Sequence, residues 1–123
     1  MEVLVIDDLE KSRVSLARII AHLGCTPVEA INVKDALQMI GKRPNIGLVM
    51  LRSRKSVVNG YNFIAEMKAM YPDSTAPKVV VFGKEADMPS MLKMLAEGAD
   101  EYIINPYDRE AIEKKLRAMG PSC

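Results

Sequence analysis

The feature that most constrains the fold of this chain is an alternation, repeated five times, of a short apolar segment and a longer amphipathic one. The apolar segments have the length of strands and little polar alternation, which is typical of strands buried on both faces of a sheet. They predict strands at 3–6, 26–30, 46–51, 78–82 and 101–104. The connections are too long for hairpins, so the strands should be parallel, joined by right-handed crossovers and covered by helices on both faces.

The segments between these strands have the periodicity of helices. Apolar residues recur at spacings of three and four, and glycine or proline follows most of the segments. Helices are therefore predicted at 10–23, 33–42, 60–71, 88–95 and 108–119. A chain of 123 residues is one domain by size, and we take 1–120 as the folded unit and 121–123 as a tail or the start of a linker.

Composition argues against several classes of function. Hydrophobic residues at 49%, charged residues at 27% and a net charge of +1 predict a globular protein that binds neither nucleic acid nor a membrane. No apolar run approaches the roughly 20 residues of a membrane span, and the first strand begins without a signal peptide, so we expect a cytoplasmic location. Cys25 and Cys123 lie far apart in sequence, and reduced thiols are the default expectation.

Charged residues stand where two of the predicted strands end, and in parallel sheets ligands collect at such carboxyl ends. The first strand ends on the adjacent carboxylates Asp7 and Asp8. The third ends on Arg52, and Arg54 and Lys55 follow in a loop where a short basic run is usually solvated. Adjacent carboxylates repel and need a counter-cation. Arg52 could supply it by donating to Asp7 or Asp8.

Four segments, in this order, resemble the receiver domain of bacterial response regulators of the chemotaxis-regulator type. They are "VLVIDD", a third strand followed by a loop that ends in Asn59-Gly60, "KVVVFG" and "GADEYIINPYDREAI". The ordered set covers nearly all of the chain and is more specific than any one piece. The resemblance implies a flavodoxin-like (βα)5 three-layer sandwich with a parallel five-stranded sheet in the order 2-1-3-4-5. It also implies a role in two-component phosphorelay signal transduction, and we expect no enzymatic activity.

In active members of that family, an aspartate at the end of the third strand accepts a phosphoryl group and the acid pair holds Mg²⁺. Here Asp7 and Asp8 match the pair, but Arg52 occupies the acceptor position. No Asp or Glu lies between Asp35 and Glu66, so no realignment supplies a carboxylate there. We therefore expect no cofactor and at most weak Mg²⁺ binding by the pair, because Arg52 removes a ligand and adds a positive charge.

The family resemblance assigns roles to four further positions. Phe82 stands where active receivers have a hydroxyl, and Asn105 where they have a lysine. The switch aromatic, Tyr102, and Pro106 are kept, and the family usually has a cis bond before that proline. Phe82 is either core filling or a ring that crowds Tyr102 and locks one conformation.

The fourth helix, fifth strand and fifth helix form the face that the family commonly uses for dimers and partners. We assign to this interaction face Met88, Met91, Met94, Tyr102 and Tyr107. The methionines could be adaptable core or contact residues. Since Met94 falls off the apolar stripe of its helix, we expect some of this sulfur to be exposed, and a homodimer through the face is compatible with the sequence.

Three functions remain open. The leading one is a pseudo-receiver, which is not phosphorylated at the usual position and works as a protein–protein interaction module, with a histidine kinase or a fused effector domain as partner. The second is a receiver phosphorylated at a non-standard residue such as Ser53. The third is a small flavodoxin-like enzyme or ligand binder that uses Asp7 and Asp8, although no glycine-rich phosphate loop or nucleophile elbow supports it.

Overall fold

The computed structural model describes residues 1–58, 62–72 and 75–119. The strands are β1 (Glu2–Ile6), β2 (Thr26–Ala30), β3 (Ile46–Arg52), β4 (Lys78–Lys84) and β5 (Glu101–Asn105). All neighbouring strands are parallel, and the order across the sheet is β2-β1-β3-β4-β5. The flavodoxin-like topology predicted from the sequence is confirmed.

The helices within the described residues follow the strands in alternation. They are α1 (Glu10–His22), α2 (Val33–Ile40), α3 (Lys55–Val58), α4 (Phe63–Lys68), α5 (Met88–Ala96) and α6 (Arg109–Ala118). Three of them begin behind a side chain that accepts a hydrogen bond from a backbone N–H of the first turn. These capping residues are Asn32, Asn62 and Asp108, and each satisfies a donor that has no partner within its helix.

The segment between β3 and β4 differs from the prediction of one helix at 60–71. Of the residues predicted as one helix, the described part contains only α4, which begins after Asn62 and ends at Lys68, while residues 60 and 61 lie outside the described residues. The segment predicted as a loop after β3 turns into α3 at Lys55. Val57 anchors this single turn in the core, and four residues are too few to show a helical period in the sequence.

The helices cover both faces of the sheet and give three layers. The α1 and α6 helices pack on one face through Leu16, Ile20, Ile112 and Leu116. The other face packs against α2, α3, α4 and α5. Because successive strand residues point to opposite faces, the parity of a position decides which helical layer its side chain meets.

The methionines of α5 are more buried than predicted. Met91 and Met94 lie in the core and Met88 is partly buried, whereas Leu92 is exposed at 54%. The expected exposure of Met94 is therefore wrong. Apolar residues occupy 91 and 92 as well as 94 and 95, so the sequence allows two phases of the helix, and packing against the sheet selects the one that buries Met94.

Two expectations drawn from composition can be compared with the fold. Cys25 is buried and disulfide-bonded, so the expectation of a reduced thiol is wrong for this residue. Cys123 and the predicted tail at 121–123 lie outside the described residues. None of the helices in the described ranges is long and apolar enough to cross a membrane.

Candidate functional site

The candidate site lies at the carboxyl edge of the sheet, between β1 and β3. These strands are neighbours, with Ile6 opposite Leu51, so the next residues along them, Asp7 and Arg52, are brought side by side. The backbone N–H of Asp7 donates to the carbonyl of Ala30 at 3.0 Å, which continues the ladder to β2. Topology alone therefore places an acid and a guanidinium at the centre of this edge.

Asp7 and Arg52 form a buried ion pair. Arg52 Nε donates to Asp7 Oδ1 at 2.8 Å, and the two side chains are 5% and 0% exposed. The same carboxylate oxygen accepts the backbone N–H of Leu9 at 3.0 Å. The prediction that Arg52 donates to one of the two acids is confirmed for Asp7, through one hydrogen bond. Asp7 Oδ2 is buried without a hydrogen-bond partner in the described part of the chain.

The rest of the guanidinium is enclosed by α1 and β4. Arg52 Nη2 donates to Ser12 Oγ at 2.6 Å, and the guanidinium carbon lies 4.7 Å from the centroid of the Phe82 ring. A cation over an aromatic face at this distance is worth about 0.5–2 kcal/mol. Phe82 thus covers the charge of Arg52.

Tyr107, and not Tyr102, is the ring that meets Phe82. Phe82 and Tyr107 pack edge to face, with centroids 6.4 Å apart and planes at 86°. In the β4–β5 register Tyr102 lies opposite Val81, so its side chain points to the other face of the sheet, where Lys115 Nζ is 5.2 Å from its ring centroid. The expected crowding of Tyr102 by Phe82 is therefore wrong.

Asp8 has partners of its own on the solvent side of the edge. Arg54 Nε lies 3.4 Å from Asp8 Oδ1, and Ser56 Oγ donates to Asp8 Oδ2. The side chains of Arg54 and Asp8 are 49% and 26% exposed. Arg54 and Lys55 are both exposed, as expected, and Arg54 in addition lies beside Asp8. Each acid of the pair therefore has its own arginine from the segment that ends β3.

The environment of Tyr107 joins it electrostatically to the ion pair. Burial raises the pKa of its phenol above the ordinary value, and the charge of Asp7 acts in the same direction. The charge of Arg52 and the nearby hydroxyl of Ser12 lower the pKa without cancelling that effect. Tyr107, which the sequence assigns to an interaction face, is thus partly buried and belongs to the edge that holds Asp7 and Arg52.

Two other predicted positions lie at the same edge. The Asn105–Pro106 bond is cis, as expected. Ser53, the alternative acceptor considered from the sequence, is 2% exposed. Its hydroxyl donates to Ser90 Oγ at 2.9 Å, and its backbone N–H donates to the Phe82 carbonyl at 2.7 Å. The hydroxyl of Ser53 is therefore covered and engaged.

A magnesium ion at this edge would have to compete with two arginines for the carboxylates of Asp7 and Asp8. Mg²⁺ requires near-octahedral oxygen ligands, usually including one or two carboxylates. Here Asp7 Oδ1 is taken by Arg52, and both oxygens of Asp8 face Arg54 or Ser56. In the described ranges no group of three or more His, Cys, Asp or Glu side chains could hold a metal. The edge therefore holds two ion pairs, while Asp7 Oδ2 and Asp8 Oδ1 have no hydrogen-bond partner among the described residues.

Sequence reasoning missed Ser12, Ser56 and the contact of Tyr107 with Phe82. Ser12 lies in the first turn of α1, directly above the strand end, and that position was a usable signal once the helix start was known. To predict the contact of Tyr107 with Phe82, one would have needed the register of β5 against β4 as well as the position of β5 in the sheet.

Comparisons with known proteins identify the family of this fold. The sequence profile of the response regulator receiver domain matches residues 3–117. PilG from Pseudomonas aeruginosa is 27% identical over 123 residues, covering 99% of this chain and 89% of PilG. A probable transcriptional regulator ycf27 from Porphyridium aerugineum is 26% identical over 118 residues, covering 96% of this chain and 47% of that regulator. The solved receiver domain of a response regulator from Bermanella marisrubri has a TM-score of 0.83 at 20% identity, with 98% of each chain covered.

The fold is that of the receiver class of two-component signalling domains. This chain belongs to the response regulator receiver domain family. Receiver domains of two-component systems interact with histidine kinases or effector domains, and they are generally signalling modules rather than enzymes. The chain spans about half the length of the ycf27 regulator, so the activity of that whole protein is not transferred to it.

Proposed function

We propose that this chain is a pseudo-receiver, a receiver domain that is not switched by an aspartyl phosphate and that acts as a protein–protein interaction module. The observation that carries the proposal is the buried hydrogen bond from Arg52 to Asp7, 2.8 Å long, at the position where the family resemblance places the acceptor. An aspartyl phosphate cannot form on a guanidinium. The positive charge of Arg52 instead compensates the negative charge of Asp7, as a bound metal ion would.

The other positions of the edge support the same proposal. Phe82 has no hydroxyl and its ring lies on the guanidinium, and Asn105 provides no second cation. Removing Arg52 would leave a buried carboxylate without its partner, which typically costs about 3–5 kcal/mol. The closed pair is thus expected to be a permanent part of the folded domain.

The two alternatives considered from the sequence receive less support. Phosphorylation of Ser53 would require a covered hydroxyl, bonded to Ser90, to become accessible. A ligand binder or enzyme using Asp7 and Asp8 would have to displace Arg52 and Arg54 from the carboxylates.

The context of the module is also part of the proposal. The folded unit is 1–120, located in the cytoplasm, without nucleic-acid or membrane binding by this domain, in line with the net charge of +1. Its partners are a histidine kinase, a fused effector domain, or a second copy through the face formed by α5, β5 and α6. Leu92 is the exposed apolar residue of that face, and Met88 and Tyr102 are partly exposed there.

The test combines a small-molecule phosphodonor, Mg²⁺ and intact mass on the wild type and on Arg52→Asp, with Mg²⁺ binding measured by calorimetry. We expect the wild type to gain no phosphoryl mass and to bind no Mg²⁺ at millimolar concentrations. Arg52→Asp should recover Mg²⁺ binding, because a third carboxylate replaces the resident cation. Mg²⁺ should also raise the Tm of Arg52→Asp, since an ion that binds only the folded state stabilises it.

Arg54→Asp is the matched control, because it makes the same charge change two residues away while leaving the buried pair intact. It should not bind Mg²⁺ in the same range. A phosphoryl group on the wild type, millimolar Mg²⁺ binding by the wild type, or equal recovery by the two variants would each contradict the assigned role of Arg52.

A further inference from the structure

Ser53 is one of three polar or charged residues that are buried in the described part of the chain, and it takes no part in the two ion pairs. We infer that Ser53 and Ser90 are positioning residues, which hold the start of α5 on the end of β3 in one arrangement without any phosphoryl group. The inference rests on the proposed function, since it concerns the face of α5, β5 and α6 that we propose for partners. It adds that this face is fixed from inside the domain by a pair of hydroxyls.

Arg52 and Ser53 direct their side chains to opposite layers of the fold. Arg52 donates to Ser12 of α1 on one side of the sheet. The backbone N–H of Ser53 donates to the Phe82 carbonyl at 2.7 Å, which extends the ladder between β3 and β4 by one residue. Its hydroxyl donates to Ser90 Oγ of α5 at 2.9 Å on the other side of the sheet. The end of β3 therefore contacts one helix on each face.

The two hydroxyls of this pair differ in burial. Ser53 is 2% exposed, whereas Ser90 lies exposed in the first turn of α5. If Ser53 were replaced, Ser90 could bond to water instead. If Ser90 were replaced, the Ser53 hydroxyl would stay buried without this partner, which is the costly case for a polar group. Ser53 therefore favours the arrangement of α5 that brings Ser90 to it.

The connection between β4 and α5 is held at a second point. Asp87 Oδ2 accepts the backbone N–H of Lys84 at 2.9 Å. The Asp87 side chain lies so close to Gly83 that a Cβ there would come within 2.9 Å of its Oδ2 and 3.2 Å of its Cβ. Leu92, which is 54% exposed on the proposed face, lies two residues beyond Ser90. The position of this apolar residue thus depends on how the start of α5 is held.

The test is native-state hydrogen exchange at the amides of Leu92 and Lys93 in α5, with the amide of Val5 in β1 as the reference for global unfolding. Ser90→Ala should speed exchange in α5 about ten-fold relative to this reference, because the Ser53 hydroxyl then lacks its partner in the closed state. Alanine is a better helix former than serine, so without this contact the same variant should slow exchange. Ser90→Thr keeps a hydroxyl and should stay within about two-fold of the wild type.

The double variant Ser53→Ala with Ser90→Ala gives the sharpest comparison. It should return exchange in α5 to within about two-fold of the wild type, because replacing both partners leaves no buried hydroxyl unpaired. Ser56→Ala is the matched control. It removes an exposed hydroxyl at the same edge, one that is bonded to Asp8, and should leave the α5 amides at the wild-type rate.

Exchange at the wild-type rate or slower in Ser90→Ala would overturn the inference, as would a double variant that exchanges as fast as Ser90→Ala. If the double variant does not fold, Ser90→Ala and Ser90→Thr decide the question, because they change an exposed residue. None of these rates depends on phosphorylation, so a wild type that accepts a phosphoryl group refutes the proposed function separately.

Discussion

Asp7 and Asp8 are adjacent in the chain, and each is paired with an arginine from the end of β3, yet the two pairs differ in kind. The Arg52–Asp7 pair is 2.8 Å long, with side chains 5% and 0% exposed. The Arg54–Asp8 pair is 3.4 Å long, with side chains 49% and 26% exposed. An arginine and an aspartate therefore form one ion pair inside the protein and another at its surface, although the two arginines are only two residues apart in the chain.

The difference shows that burial, more than the charges themselves, decides what an ion pair does. In the buried pair neither charge can return to water when its partner is removed, so the pair is an obligatory part of the fold. In the exposed pair each charge can be solvated, and the contact contributes little. Under the proposed function this difference matters, because a buried cation tethered to the chain would keep a metal ion and a phosphoryl group from the pocket.

The largest expected effect comes from breaking each pair in the same way. Arg52→Met should lower the free energy of unfolding by about 3–5 kcal/mol, because Asp7 stays buried without its partner. Arg54→Met should lower it by less than about 1 kcal/mol, because Asp8 remains accessible to water. Urea denaturation of the two variants at pH 7 measures both changes.

Salt provides the control for this pair of variants. At about 0.5 M NaCl the small effect of Arg54→Met should disappear, whereas that of Arg52→Met should persist, since buried charges are screened much less. Equal losses in the two variants, or a loss in Arg52→Met that salt removes, would show that the two pairs do not differ as their burial indicates.

A smaller effect is expected when both members of a pair are replaced. The double variant Asp7→Leu with Arg52→Met should be more stable than Arg52→Met alone and should lie within about 2 kcal/mol of the wild type, because no isolated charge remains buried. The loss that remains comes from the hydrogen bonds to Leu9 and Ser12. A double-mutant cycle in urea measures the coupling.

The exposed pair gives the matching cycle. Asp8→Ala with Arg54→Met should show a coupling energy below about 1 kcal/mol, as surface pairs do. If the cycle on Asp7 and Arg52 gave a coupling as small as this one, the guanidinium would not be the obligatory partner of Asp7, and the account of a pocket closed by its own arginine would fail.

The sequence predicts the sheet of this protein well because apolar and amphipathic segments alternate along it in a regular pattern. Five apolar runs separated by amphipathic segments allow few arrangements, and the structure has the predicted strand order. The prediction was less accurate where periodicity is short or ambiguous. The α3 helix has a single turn, and α5 had two possible phases, of which packing buries Met94 and exposes Leu92.

At the site, the sequence predicts which groups meet when they follow neighbouring strands, but not which partner each one takes. The contact of Arg52 with an acid follows from the adjacency of β1 and β3. That Arg52 takes Asp7 follows from the register of β1 and β3, whereas Arg54 lies beyond the end of β3, where strand alternation does not place its side chain. The pairing of Phe82 with Tyr107 likewise depends on register, because one residue along a strand moves a ring to the other helical layer.

The smallest expected effect concerns Tyr107, whose phenol pKa is influenced by the charges of the buried pair. Because burial raises the folded-state pKa of Tyr107, the unfolded chain loses this proton first, so stability is kept below about pH 10 and falls as pH rises through the folded-state pKa. Tyr107→Phe should flatten the fall of unfolding free energy above pH 10, measured by urea denaturation. The charges acting on the phenol are those of Arg52 and Asp7, so the flattening should be the same in an Arg54→Met background. If Tyr107→Phe left the fall of unfolding free energy above pH 10 unchanged, this phenol would not be influenced by the buried pair. The difference between the two pairs would then be limited to the side chains of Arg52, Asp7, Arg54 and Asp8.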